Sequence, residues 1–173
     1  MLVLQIILVA IFPALLICAA LRDATSFTIP NWISLAAAAM FVPVALFLGL
    51  PLPVVGLALS LGVAALLLGM LMFAFGWIGG GDAKLMAACG VWIGWSAFLP
   101  FLIFTGAAGG ALAVLLLMVR KMSFWLPPRL PAWMKRLATP GENVPYGVAI
   151  AIGALAVFPT TPVAAAMGHV LRG

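Results

Sequence analysis

Acidic side chains are almost missing from this sequence. Asp23, Asp82 and Glu142 are the whole set among 173 residues, so any carboxylate chemistry must come from these three. Histidine occurs once, as His169 on the predicted outer side, which excludes an HExxH zinc protease and leaves no Ser/His pair beside the acids. Cysteine occurs twice, as Cys18 and Cys89, widely separated and each inside an apolar run. No CxxC or Cys/His cluster is present to hold zinc or an iron-sulfur centre, and both cysteines read as small core residues. No metal site and no cofactor is expected. The glycine run at 79–81 is followed by Asp-Ala-Lys and lacks P-loop spacing, which removes nucleotide phosphate chemistry.

Charge as a whole is scarce, at 6% of residues, while 67% are hydrophobic and the mean hydropathy is +1.35. That balance lies far from soluble domains and describes a membrane protein. The net charge of +5 does not indicate nucleic acid, because the basic residues are dispersed between apolar runs and form no continuous patch. They read as topology signals facing membrane lipid.

Apolar continuity and punctuation predict an all-α membrane protein with six spans, near 2–21, 32–50, 53–76, 83–99, 101–119 and 144–164. The first run is expected to be retained as a helix. No Lys or Arg precedes it as in a secretory signal, and bulky Ile17 stands before Cys18 where lipoprotein processing needs a small residue. The fourth and fifth spans are predicted to meet at a tight turn at Pro100, with a kinked continuous segment as the alternative. The chain is expected to be one membrane-embedded domain over 1–173, with a single hydrophilic loop at 120–143.

Lys and Arg follow the first span (Arg22), the third (Lys84) and the fifth (Arg120, Lys121, Arg129, Lys135, Arg136). The positive-inside rule then puts these ends in the cytoplasm and both termini outside, with Arg172 the lone external basic residue. Asp23 and Asp82 fall on the same face, although neither entered the count. The loop at 120–143 mixes basic residues with Trp125 and Trp133, a composition that suits an anchor in the headgroup region better than a substrate site.

Ionisable groups at membrane depth are costly, so each aspartate is a functional candidate. Taken singly, each has a plainer role: Asp23 as a polar loop residue beside Arg22, Thr25, Ser26 and Thr28, and Asp82 as a helix N-cap after Gly79, Gly80 and Gly81. Together they predict a pair. Two neighbouring carboxylates in a poorly hydrated site cannot easily both ionise, so one holds a proton while the other acts as base. Such a pair can activate water against a peptide carbonyl. Which aspartate begins as base is not readable from sequence, because the pair titrates as a unit.

Around the acids, Asn31 is expected to cap the second helix after Ile29 and Pro30. Lys84 lies two positions beyond Asp82, which does not face it across a helix, and reads as a snorkelling anchor, with substrate-side electrostatics as the second reading. Glu142 reads as a dipole or capping residue near the last span, with substrate contact as the sharper alternative for it and for Tyr146.

These residues resemble the type IV prepilin peptidases, membrane aspartic proteases with a GxGD motif. Gly79, Gly81, Asp82, Lys84 and Leu85 form a GxGDxKL-like string, Asp23 is followed by Ile29-Pro30-Asn31, and Pro145-Tyr146-Gly147 is similar to a further family segment. The resemblance implies that Asp23 and Asp82 are catalytic and that the substrates are prepilins or pseudopilins, cut after a basic leader at the cytoplasmic face of a bacterial inner membrane. With no cysteine-rich cytoplasmic region, the chain looks like the short TadV/CpaA type linked to Flp pili, and methyltransferase activity is not expected. An archaeal preflagellin peptidase is similar in plan. Two other classes stand behind the protease: a noncatalytic subunit of a pilus assembly machinery, and an ion-coupled carrier. Carrier acids tend to lie at the midplane in repeated halves, which are not visible here.

Overall fold

The computed structural model describes residues 2–122 and 130–172. Trp125 and Arg129 of the predicted anchor loop, and the side chain of Arg172, lie outside the described residues. The described residues form seven α-helices and no strand: α1 (Leu2–Ser26), α2 (Asn31–Phe47), α3 (Leu52–Ala74), α4 (Gly80–Lys121), α5 (Ala132–Ala138), α6 (Tyr146–Val157) and α7 (Pro162–Arg172). An all-helical fold follows from the medium, since helices satisfy their backbone groups internally where water is absent. Large apolar side chains such as Leu57, Leu67, Phe73, Leu99 and Ile103 remain exposed on the outside of the bundle, as a lipid-facing surface requires.

Local chemistry sets the helix ends around the acids. α1 continues past the predicted end at residue 21 because Thr25 and Ser26 turn their hydroxyls back onto the carbonyls of Leu21 and Arg22. It stops where Phe27 adopts φ 54° and Pro30, with ψ 136°, forces an extended entrance to α2. Asp23 therefore lies on the last turns of a helix, not in a loop. α4 opens at Gly80 after an extended Gly79, so Asp82 occupies the first turn and Gly79 is the N-cap.

Packing partners give the direction of each helix. Asn31 meets Lys84 and Ala37 meets Trp92, so α2 runs parallel to the first part of α4. Gly69 faces Ala83, Gly62 faces Val91, and Trp95 donates to the Leu57 carbonyl, so α3 runs antiparallel to that part. Further along, Gly153 faces Thr105, Gly109 lies under the Tyr146 ring, and Arg120 reaches the Asn143 carbonyl. The later part of α4 is therefore antiparallel to α6. Small residues at these crossings let backbones approach closely, the usual basis of helix association in lipid.

These directions require α4 to fold back on itself, and the reversal is at Gly94. Its φ 72° and ψ 169° are non-helical and lie in a region open essentially to glycine alone. This corrects the predicted division at Pro100, which the helix carries without a break, as proline is tolerated within membrane helices. The count of spans differs as well: among the described residues α1, α3 and α4 are long and apolar enough to cross a membrane, or four segments if bent α6 and α7 count as one, fewer than the six expected, with α4 counted once across its reversal. α2 has only 17 residues, and the 42 residues of α4 form two arms that meet at Gly94 and traverse the bundle in opposite directions.

The core sits between these arms and α1, α2 and α6. Trp92 is buried, stacked on Phe12 with ring centroids 4.7 Å apart, edge-on to Phe41, and donates from Nε1 to the Ala37 carbonyl over 2.7 Å. One aromatic thus ties α1, α2 and α4 at mid-bundle, which aligns the helix ends that carry the acids.

Candidate active site

Asp23 reaches the site from the end of α1 and Asp82 from the start of α4. Both line one pocket of about 200 Å³, together with Phe27, Thr28, Ile29, Asn31 and Gly81. Asp23 is only 5% exposed, whereas Asp82 is half-buried. The asymmetry matters chemically, because the buried acid depends on protein donors while the other has access to water.

The donor for Asp23 is a backbone group. Gly147 N–H donates to Asp23 Oδ2 over 2.6 Å from the first turn of α6. A side chain at this position would collide with the site: a Cβ would stand 2.8 Å from Ile29 Cδ1 and 2.9 Å from Asp23 Oδ2. The N–H of a first helical turn has no partner within its own helix, so it is free to bind the carboxylate. In the sequence Gly147 stands out only as part of a family-like segment. Its role in holding Asp23 had no sequence signature, because the donor is main chain.

The glycines before Asp82 serve close approach as well. A Cβ on Gly79 would lie 2.9 Å from Asp82 Oδ2, and one on Gly81 would lie 3.2 Å from Ile29 Cβ. Ile29 thus packs against Gly81 on one side and Gly147 on the other, wedged between the start of α4, which delivers Asp82, and the start of α6, which holds Asp23. Gly80 faces away, toward Phe73.

Asn31 and Lys84 depart from their sequence roles. Pro30 is the N-cap of α2 and makes no side-chain capping bond, so Asn31 is not the cap. Its Oδ1 instead accepts from Lys84 Nζ over 2.9 Å, a link between α2 and α4 at the pocket rim. A free snorkelling lysine is thereby corrected to a tied one. Glu142 lies outside the pocket and pairs with Arg136 Nε at 3.7 Å, while the half-exposed Tyr146 packs over Gly109. Neither is brought to the aspartates. α5 docks nearby, with the Arg136 guanidinium 4.8 Å from the Phe27 ring centroid and Arg120 Nε donating to the Leu137 carbonyl.

Among the described residues no group of three or more His, Cys, Asp or Glu side chains could hold a metal ion. The arrangement therefore offers two carboxylates, one anchored and one accessible, at the end of a bundle of apolar helices.

A family model, that of the type IV leader peptidase family, matches residues 10–114, which is more than half of the chain and includes both aspartates. The chain belongs to the type IV leader peptidase family. It is accordingly a protease with a leader-peptidase-type activity, carried on a multi-pass membrane fold. No curated protein and no solved structure matches the chain significantly. The family match ends before Glu142 and Tyr146, so the Gly147 donor that completes the environment of Asp23 comes from beyond it.

Proposed function

We propose that this type IV leader peptidase is an aspartic endopeptidase that cuts a basic leader from pilin-type precursors, with Asp23 and Asp82 as its catalytic pair. The observation that carries this reading is the convergence of the only two aspartates of the sequence on one pocket at the end of the bundle. Asp23, fixed by Gly147 N–H, is placed to hold a defined orientation. Asp82, more accessible, is placed to meet water and the scissile carbonyl. One carboxylate accepts the proton of the attacking water while the other, protonated, hydrogen-bonds the carbonyl oxygen and later helps protonate the leaving nitrogen.

The side of the membrane follows from charge. Lys84, Arg120 and Arg136 all make their contacts at the end of the bundle that holds the aspartates, and Arg22 adjoins Asp23. The positive-inside rule assigns that end to the cytoplasm. The motif strings around Asp23 and Asp82 support a Flp-type pilin or pseudopilin as substrate, a bacterial inner-membrane location, and a place beside a pilus assembly machinery. The 120–143 segment, with α5 in it, acts as an interfacial anchor.

The test is cleavage of a co-expressed Flp-type pilin precursor by wild type, Asp23→Asn and Asp82→Asn at matched membrane levels, read by mass shift and N-terminal sequencing. The expected result is one leader junction cut by wild type and no processing by either variant. Normal processing by a single variant removes that acid from the mechanism. Precursor left uncut by wild type, with acid variants that lose partner association, returns the noncatalytic subunit.

A further inference from the structure

A second concavity lies directly beside the acids. It is a groove of about 650 Å³ between α2, α3 and the first arm of α4, with Leu35 and Ala38 on one wall, Val63 and Leu66 on the other and Ala87 on its floor. Leu35 and Val63 are 70% and 58% exposed, so the groove opens sideways onto the lipid-facing surface.

Its lining changes character along its length. At the end nearest the aspartates it is polar, with Asn31, Ser34 and Lys84, and Asn31 also lines the pocket that holds Asp23 and Asp82. The two cavities therefore adjoin at one side chain. Ser34 is only 5% exposed, and among the described residues its Oγ has no hydrogen-bond partner. A buried hydroxyl without a partner is unfavourable, so the polar end of the groove holds an unmet hydrogen-bonding group.

We infer that this groove seats the apolar membrane helix of the substrate, adjoining the scissile bond, and delivers that bond past Asn31 to the acids. The inference rests on the aspartic leader peptidase reading. A bond cut at the membrane boundary belongs to a chain that continues into the bilayer, and the groove is the opening that runs from the acids toward mid-bundle between lipid-exposed walls. Its apolar length matches a helical segment, and its polar end matches an unwound stretch of peptide whose backbone groups need partners. The Asn31 amide, held by Lys84 where the two cavities adjoin, supplies one.

The test uses the full chain and a pilin precursor that wild type cleaves. Photoreactive benzoylphenylalanine replaces Leu35 or Val63 on the groove, or Ile103 or Leu117 on the second arm of α4, in an Asp82→Asn background that leaves the precursor intact. The expected result is precursor adducts at 35 and 63 and none above background at 103 and 117. Equal adducts at all four positions, or phospholipid adducts alone at 35 and 63, overturn the groove. With purified enzyme, Ala38→Trp fills the groove away from the acids and raises KM by at least about tenfold with kcat retained, the scale of a steric misfit in an apolar site. An unchanged KM overturns it as well. These failures differ from failure of the parent reading, in which wild type cuts no precursor or Asp82→Asn still cuts it.

Discussion

Gly147 and Asp23 are 124 positions apart in the sequence, yet the backbone N–H of the first donates to the carboxylate of the second over 2.6 Å. The contact requires that residue 147 carry no side chain, since a Cβ there would crowd Asp23 and Ile29 at once.

Gly147→Ala is expected to reduce leader cleavage about 10²-fold, the penalty associated with moving a reacting group by roughly an ångström. Precursor-to-mature ratios on immunoblots, at matched enzyme levels in the membrane, measure it. Processing at the wild-type rate would detach Gly147 from the site.

Gly94→Ala places a Cβ on a backbone that only glycine adopts easily, at a cost of about 1–3 kcal/mol. Thermal unfolding in detergent should show a lower Tm for this variant. Pro100→Ala, at an exposed position within a continuous arm, should leave Tm unchanged or raise it. The reverse order would move the break in α4 back to the proline.

Trp92→Phe keeps a ring against Phe12 but removes the donor to the Ala37 carbonyl, and is expected to cost about 1 kcal/mol. Trp92→Ala empties the junction of three helices and should cost about 3–5 kcal/mol. Similar Tm values for the two variants would show that the stacked ring adds nothing to the core.

Glu142→Gln breaks a partly exposed ion pair with Arg136, an interaction worth at most about 1 kcal/mol. Cleavage should stay within about twofold of wild type. A large rise in KM would return Glu142 to the substrate-contact role that its position near the last span first suggested.

The two aspartates were legible because carboxylates are costly near a bilayer and only three acidic residues exist to choose from. The helical class was legible from apolar runs alone. What was not legible depended on long-range packing. Asn31 looked like a cap because its type and place after Pro30 fit one, but Lys84 lies close enough to engage its amide. Pro100 looked like the break because proline interrupts soluble helices, whereas the fold-back needs a positive φ that Gly94 provides. The continuation of α1 through Ser26 came from hydroxyls turned back onto carbonyls one turn earlier, a choice Ser and Thr can make equally well in loops.

The reversal at Gly94 gives the pocket a divided ancestry within the fold. Asp82 rides on the arm that packs against α3, while Asp23 is held by α6, which packs against the other arm. The acids therefore meet on a seam beside both arms of α4, and the two arms are linked through one residue at the opposite end of the bundle. Their alignment is set remotely: a wedge or a slackened turn at that far end would open the seam and draw the carboxylates out of register without touching either of them.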